Sequence, residues 1–119
     1  MWKGVISPGQ SWNDLVDFSD LLPTVVDLTG GALPTDVQLD GHSFAARLRG
    51  EGRSTRHWAD AESAERFFLK TRNRKLYNAG EFFDTEAEPF ENSPLDATRL
   101  SSEAASDWEL LMRAIAEFR

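Results

Sequence analysis

The sequence predicts an α+β fold: a short antiparallel β-meander packed by a C-terminal helix and preceded by short helices. Three features point to it. Between residues 66 and 85 the strand-like runs RFFLKT, RKLYNA and EFFDT are separated only by RN and by a turn containing Gly80. From Ser101 or Ser102 onward, Ala104, Trp108, Leu111, Ile115 and Phe118 recur at helical spacing, with Ala105, Met112 and Ala116 widening the stripe, so a helix runs over about 102–118. Near the start, VDFSDLLPTVVDLTGG (residues 16–31) reads as a short helix ended by a glycine pair.

Taken in order, Met1 to Gln10 mixes Trp2, Val5 and Ile6 with Gly4, Pro8 and Gly9, the pattern of a strand end entering a turn. The helix over 20–29 begins at Asp20, whose carboxylate is suited to accept from free first-turn N–H groups. Pro23 then falls where no intrahelical donor is lost. Leu21, Leu22, Val25, Val26 and Leu28 cover more of the surface than a helix with one wet side needs. A turn at Asp40-Gly41 leads to a short helix over 43–49, capped by Ser43 and stopped by Gly50. GEGRSTRHWADAESAE then reads as a polar loop before the meander.

A chain of 119 residues suits one modest core. It has no cysteine, which removes disulfides, thiolate metal sites and a cysteine nucleophile. No apolar run approaches the roughly 20 residues of a membrane span, the opening lacks the apolar region of a secretory signal, and localisation stays unknown. A net charge of −7 argues against nucleic acid as a partner. The charge is uneven: residues 53–75 carry seven Arg or Lys against three acids, and residues 76–119 three against ten.

Three local patterns invite a chemical reading. GHSFA (41–45) approaches the Gly-x-Ser-x-Gly elbow of serine hydrolases, but the second glycine is Ala45, the preceding TDVQLD is too polar for a central strand, and only His57 is on hand as a distant base. Asp84, Glu86 and Glu88 imitate the first calcium-loop ligands, yet Pro89 and Leu95 stand where glycine and glutamate are required. Lys70, Arg72 and Arg74 have the spacing of a basic stripe along an extended strand, a candidate anion or substrate contact that the turn at Arg72-Asn73 interrupts. His42 and His57 lie near no second metal ligand in sequence. Trp2 and Trp12 sit outside the periodic apolar runs, as aromatics whose packing partner is missing.

The stretch from Gly4 to Glu51 closely resembles arylsulfatase A-like sulfatases of the alkaline phosphatase superfamily. It carries, in order, Pro8-Gly9, Asp20-Leu21-Leu22-Pro23-Thr24, Thr29-Gly30, Leu39-Asp40-Gly41-His42-Ser43 and Leu48-Arg49-Gly50. Farther on, Thr71, Lys75-Leu76 and the run to Leu95 are similar to the family's Arg-Thr-x-x-x-Lys-Leu, Tyr-Asp-Leu and Asp-Pro-x-Glu, with departures at Lys70, Arg74, Thr85 and Glu88. The resemblance implies that residues 1–52 are the tail of the family's large α/β domain, on which the helix at 20–29 packs. Residues 53–119 would be its C-terminal subdomain, bordering the substrate cleft.

Sulfatases hydrolyse sulfate esters with a formylglycine made from the Cys or Ser of Cys/Ser-x-Pro-x-Arg, beside calcium or another divalent cation. Two places before the five prolines stand Ile6, Leu21, Ala32, Ala87 and Asn92, so this chain offers neither that nucleophile nor, by the resemblance, the metal ligands. No catalytic, metal or cofactor residue is assigned. The resemblance implies a non-catalytic C-terminal portion whose partner is the N-terminal catalytic domain of a sulfatase, a family often exported or lysosomal. The other reading is a free-standing module that self-associates through exposed apolar surface or binds anions.

Overall fold

In the computed structural model, which describes residues 2–54 and 56–117, the chain forms two compact units, Met1–His57 and Trp58–Arg119. This division falls a few residues after the boundary at 52/53 read from the sequence, and among the described residues the hydrophobic core cluster lies in the second unit. Arg56 accounts for the later boundary, because its side chain turns back into the first unit.

Unit 1 holds a 3-10 turn (Phe18–Asp20) running directly into α1 (Leu21–Thr29), then α2 (Ala45–Leu48). Asp20 is the N-cap residue of α1 as read but makes no side-chain cap bond there, and Asp17 caps the 3-10 turn. Its carboxylate accepts from the Ser19 N–H at 2.9 Å while the Asp20 carboxylate accepts from the Asp17 N–H at 2.8 Å, a reciprocal box three residues earlier than expected. Gly30, left-handed at φ 69°, ends α1 as read. The opening residues form turns rather than a strand end. α2 is shorter than the helix read over 43–49: the Ser43 hydroxyl accepts from the Ala45 N–H at 3.2 Å, and Gly50, at φ 84°, follows the last turn.

Unit 2 holds four strands, β1 (Ala59–Ser63), β2 (Arg66–Lys70), β3 (Arg74–Tyr77) and β4 (Phe82–Asp84), and then α3 (Ser102–Glu117). The sheet is antiparallel in the order β1-β2-β3-β4. The three expected strands are present, and β1 is added where a polar loop was read. Its ADAES has no β-branched or aromatic residue, and its turn into β2 uses Ala64 at φ 53° instead of a signalling glycine or asparagine. Register with β2, from Ala59↔Lys70 to Ser63↔Arg66, makes it a strand.

That register also sorts the sheet faces. Leu69, Leu76 and Phe82 lie in line across β2, β3 and β4 and are buried with Ala104, Leu111 and Ala114 of α3. Trp58, Leu95, Leu100, Trp108 and Ile115 pack around them, with the Trp108 ring edge-on to Phe82 at 5.2 Å. Each fully buried Leu or Phe here is worth about 1.5–3 kcal/mol. α3 starts as expected, the Ser101 hydroxyl accepting from the Ala104 N–H at 3.2 Å. The stripe differs in part: Ala114 is buried, Met112 and Ala116 are exposed, and Phe118 lies outside the described residues.

Candidate functional site

Some of the residues that carry the resemblance, Thr24, Gly41 and His42, lie about Asp20. This carboxylate is only 2% exposed. Its Oδ1 accepts from the His42 N–H at 2.7 Å and from Arg56 Nη2, and its Oδ2 from Arg56 Nε at 2.8 Å and from the Asp17 N–H. Burial by itself would raise the Asp20 carboxyl. The Arg56 hydrogen bonds, the two backbone N–H donors and the guanidinium charge outweigh it together and hold the group below its ordinary value. One turn along α1, the buried Thr24 hydroxyl donates to the Asp20 carbonyl at 2.6 Å and accepts from the Phe44 N–H at 3.1 Å. Two side chains one helical turn apart thus take alternate N–H groups of segment 42–44.

Gly41 has a different task from the turn read for it. Its φ is not positive, and residues 38–44 form no helix, strand or turn. A Cβ at Gly41 would collide with the carbonyl of Ser19, so glycine lets this backbone pass against the turn before α1. The Asp40 carbonyl faces Arg56 Nη2 at 3.3 Å. His42 turns its ring Nδ1 toward the same guanidinium nitrogen, at 3.4 Å.

The serine-hydrolase pattern at Ser43 dissolves. Its hydroxyl donates to Asp27 at 2.7 Å, and hydrogen bonds from Ser43 and then Arg49 hold the Asp27 carboxyl below its usual range. A carboxylate so held is a poor proton acceptor, and the local pairs fasten α1 to the approach of α2. Trp12 finds a partner the sequence did not show: the Arg47 guanidinium lies 3.8 Å over its ring while Arg47 also binds Asp14 and donates to the Gly52 carbonyl.

In unit 2 the basic stripe is not formed. Lys70 stands opposite Lys75 on one face of the sheet, whereas Arg74, next along β3 and opposite Asp84, points to the other. Arg72 lies in the turn between them. Arg74 is 7% exposed and bonds Asp107 at 3.0 Å and Asp84 at 3.3 Å, with Glu103 at 3.4 Å. It therefore ties the start of α3 to β3 and β4. Leu76 is in the core, and the Lys75 ammonium bonds Glu91 at 2.8 Å above the Phe68 ring. Tyr77 donates to the same carboxylate at 2.7 Å. Burial opposes the charged form of Glu91, but these bonds and the lysine charge outweigh it and lower its carboxyl.

The calcium-like loop is built from its own carboxylates. Asp84 accepts from the Glu86 and Ala87 N–H groups, and Glu88 from the Asn92 and Ser93 N–H groups. Among the described residues no group of three or more His, Asp or Glu stands together in a way that could hold a metal ion. Among the described residues, no helix is long and apolar enough to cross a membrane.

Arg56, Glu91 and Asp107 were not singled out by the sequence. Arg56 lies 36 residues from Asp20, beyond any local pattern, and it looked like one more charge in a basic run.

No protein-family model matches the chain. An ulvan-active sulfatase of Formosa agariphila is 42% identical over 50 residues, 42% of this chain and 10% of the relative. Arylsulfatase D of Homo sapiens is 35% identical over 78 residues, 66% of this chain and 12% of the relative. Among solved structures, a 2-O GAG sulfatase superposes over 82% of this chain and 23% of its own, with a TM-score of 0.54 and 26% sequence identity. The chain thus spans about a tenth of the length of the curated relatives it matches. By sequence and by fold together, it is related to the arylsulfatase A-like sulfatases and corresponds to a C-terminal portion of one.

Proposed function

We propose that the chain serves as a non-catalytic structural part of a sulfuric ester hydrolase, inert alone and bordering the substrate cleft of the whole enzyme. One observation carries the reading: the residues shared with sulfatases are spent on internal bonds, with Asp20, Thr24, Gly41 and Ser43 joining backbone segments and Lys75 and Leu76 building the sheet. None is left presenting an activated nucleophile. The apolar outside of α1, where Leu22 and Val25 are more than half exposed beside an 88%-exposed Phe18, suits a helix covered by the catalytic body of such an enzyme. An anion contact, if the cleft uses one, does not fall to Arg74, which is engaged by carboxylates.

A graft tests this. A sulfatase deleted of the stretch matching this chain is expected to lose turnover, and the same enzyme with this chain spliced into the gap to regain a measurable part of it. A deletion that stays fully active, or a graft as inactive as the deletion, counts against the proposal. The same exposed residues favour self-association as a second reading, which light scattering over a range of concentrations separates, since a monomer throughout excludes it.

A further inference from the structure

The two units are stabilised by different physics. Among the described residues the hydrophobic core cluster lies in unit 2. Among the described residues of unit 1 the buried set is Asp20, Pro23, Thr24 and Ala45, while Val16, Phe18, Leu21, Leu22 and Val25 face outward. Two of the four buried residues of unit 1 are therefore polar, while several of its large apolar side chains are exposed. At its centre is the Arg56–Asp20 pair, with side chains 6% and 2% exposed, and Arg56 comes from the last residues of the unit, just before the chain enters unit 2.

We infer that Arg56 is a latch: its guanidinium closes unit 1 by neutralising Asp20, and opening it releases α1 and segment 40–44 while unit 2 stays folded. The physical reason is asymmetric cost. A buried carboxylate with a bidentate arginine and two backbone donors is satisfied, whereas the same carboxylate without its cation is an uncompensated charge with little apolar packing nearby to offset it. Water must then enter, and the His42 and Phe44 N–H groups lose the side chains they donate to. Unit 2 owes nothing to this pair, since its own buried arginine, Arg74, is neutralised by Asp84 and Asp107. The inference concerns this chain's own conformations and does not depend on the proposed function.

Hydrogen exchange on the full chain tests it. The His42 and Phe44 amides are expected to be protected in the unchanged protein. In Arg56→Gln their protection falls by roughly two orders of magnitude, with amides of β2 and β3 unchanged. Arg56→Lys, which keeps the charge and loses the planar fork, gives an intermediate loss. Three results overturn the latch: unprotected His42 and Phe44 amides in the unchanged chain, protection kept in Arg56→Gln, or equal loss in β2 and β3.

Discussion

Phe82→Ala is expected to destabilise unit 2 by about 3–5 kcal/mol, because it removes the largest fully buried side chain and leaves a void between the sheet and α3. Phe82 lies in line with Leu76 and Leu69 and edge-on to Trp108, so the cavity opens where helix and sheet meet. A unit of this size has a stability of only several kcal/mol to lose. Urea unfolding followed by tryptophan fluorescence is the measurement, and Trp108 is the natural reporter. Met112→Ala, at an exposed position on the same helix, is the control and should stay within about 0.5 kcal/mol. A loss below about 1 kcal/mol for Phe82→Ala would show that this cluster is not the core.

Gly41→Ala carries the second large effect, and it falls on unit 1. The added methyl meets the Ser19 carbonyl, which is backbone and cannot rotate away, so segment 40–44 or the turn before α1 must move. Either shift breaks the Asp20–His42 bond and loosens Arg56 with it. The expected cost is about 1–3 kcal/mol or more, enough to perturb backbone amide resonances throughout unit 1 and leave those of unit 2 in place. Gly50→Ala makes the comparison informative. Gly50 has open space around its Cα but a φ of 84°, so that change costs only the strain of a left-handed alanine, roughly 1–2 kcal/mol. Equal perturbation by the two substitutions would contradict the close approach at Gly41.

These two positions also show where a sequence can be read. Phe82 sits in a strand-like run between turn signals, and its line-up with Leu69 and Leu76 follows from strand alternation, so the meander and its helix were legible. Gly41 was noticed for the wrong reason. Asp-Gly usually marks a turn, and only the approach of residue 19 from another part of the chain shows that the glycine is a spacer. β1 escaped because its residues have no strand preference and its turn uses Ala64. The basic stripe failed because Thr71 to Asn73 reverse the chain, leaving Lys70 and Arg74 on opposite faces. Asp20 was recognised, but as a helix cap; its arginine arrives from 36 residues away, and nothing local announces it.

The proposal that this chain is scaffold without chemistry is tested most directly by inorganic sulfate itself. The purified full chain, supplied with calcium and an aryl sulfate in excess, is incubated beside a heat-killed sample, and released sulfate is determined by ion chromatography. The predicted result is no release above the killed sample at any protein concentration. Release that rises in proportion to the folded chain would contradict it.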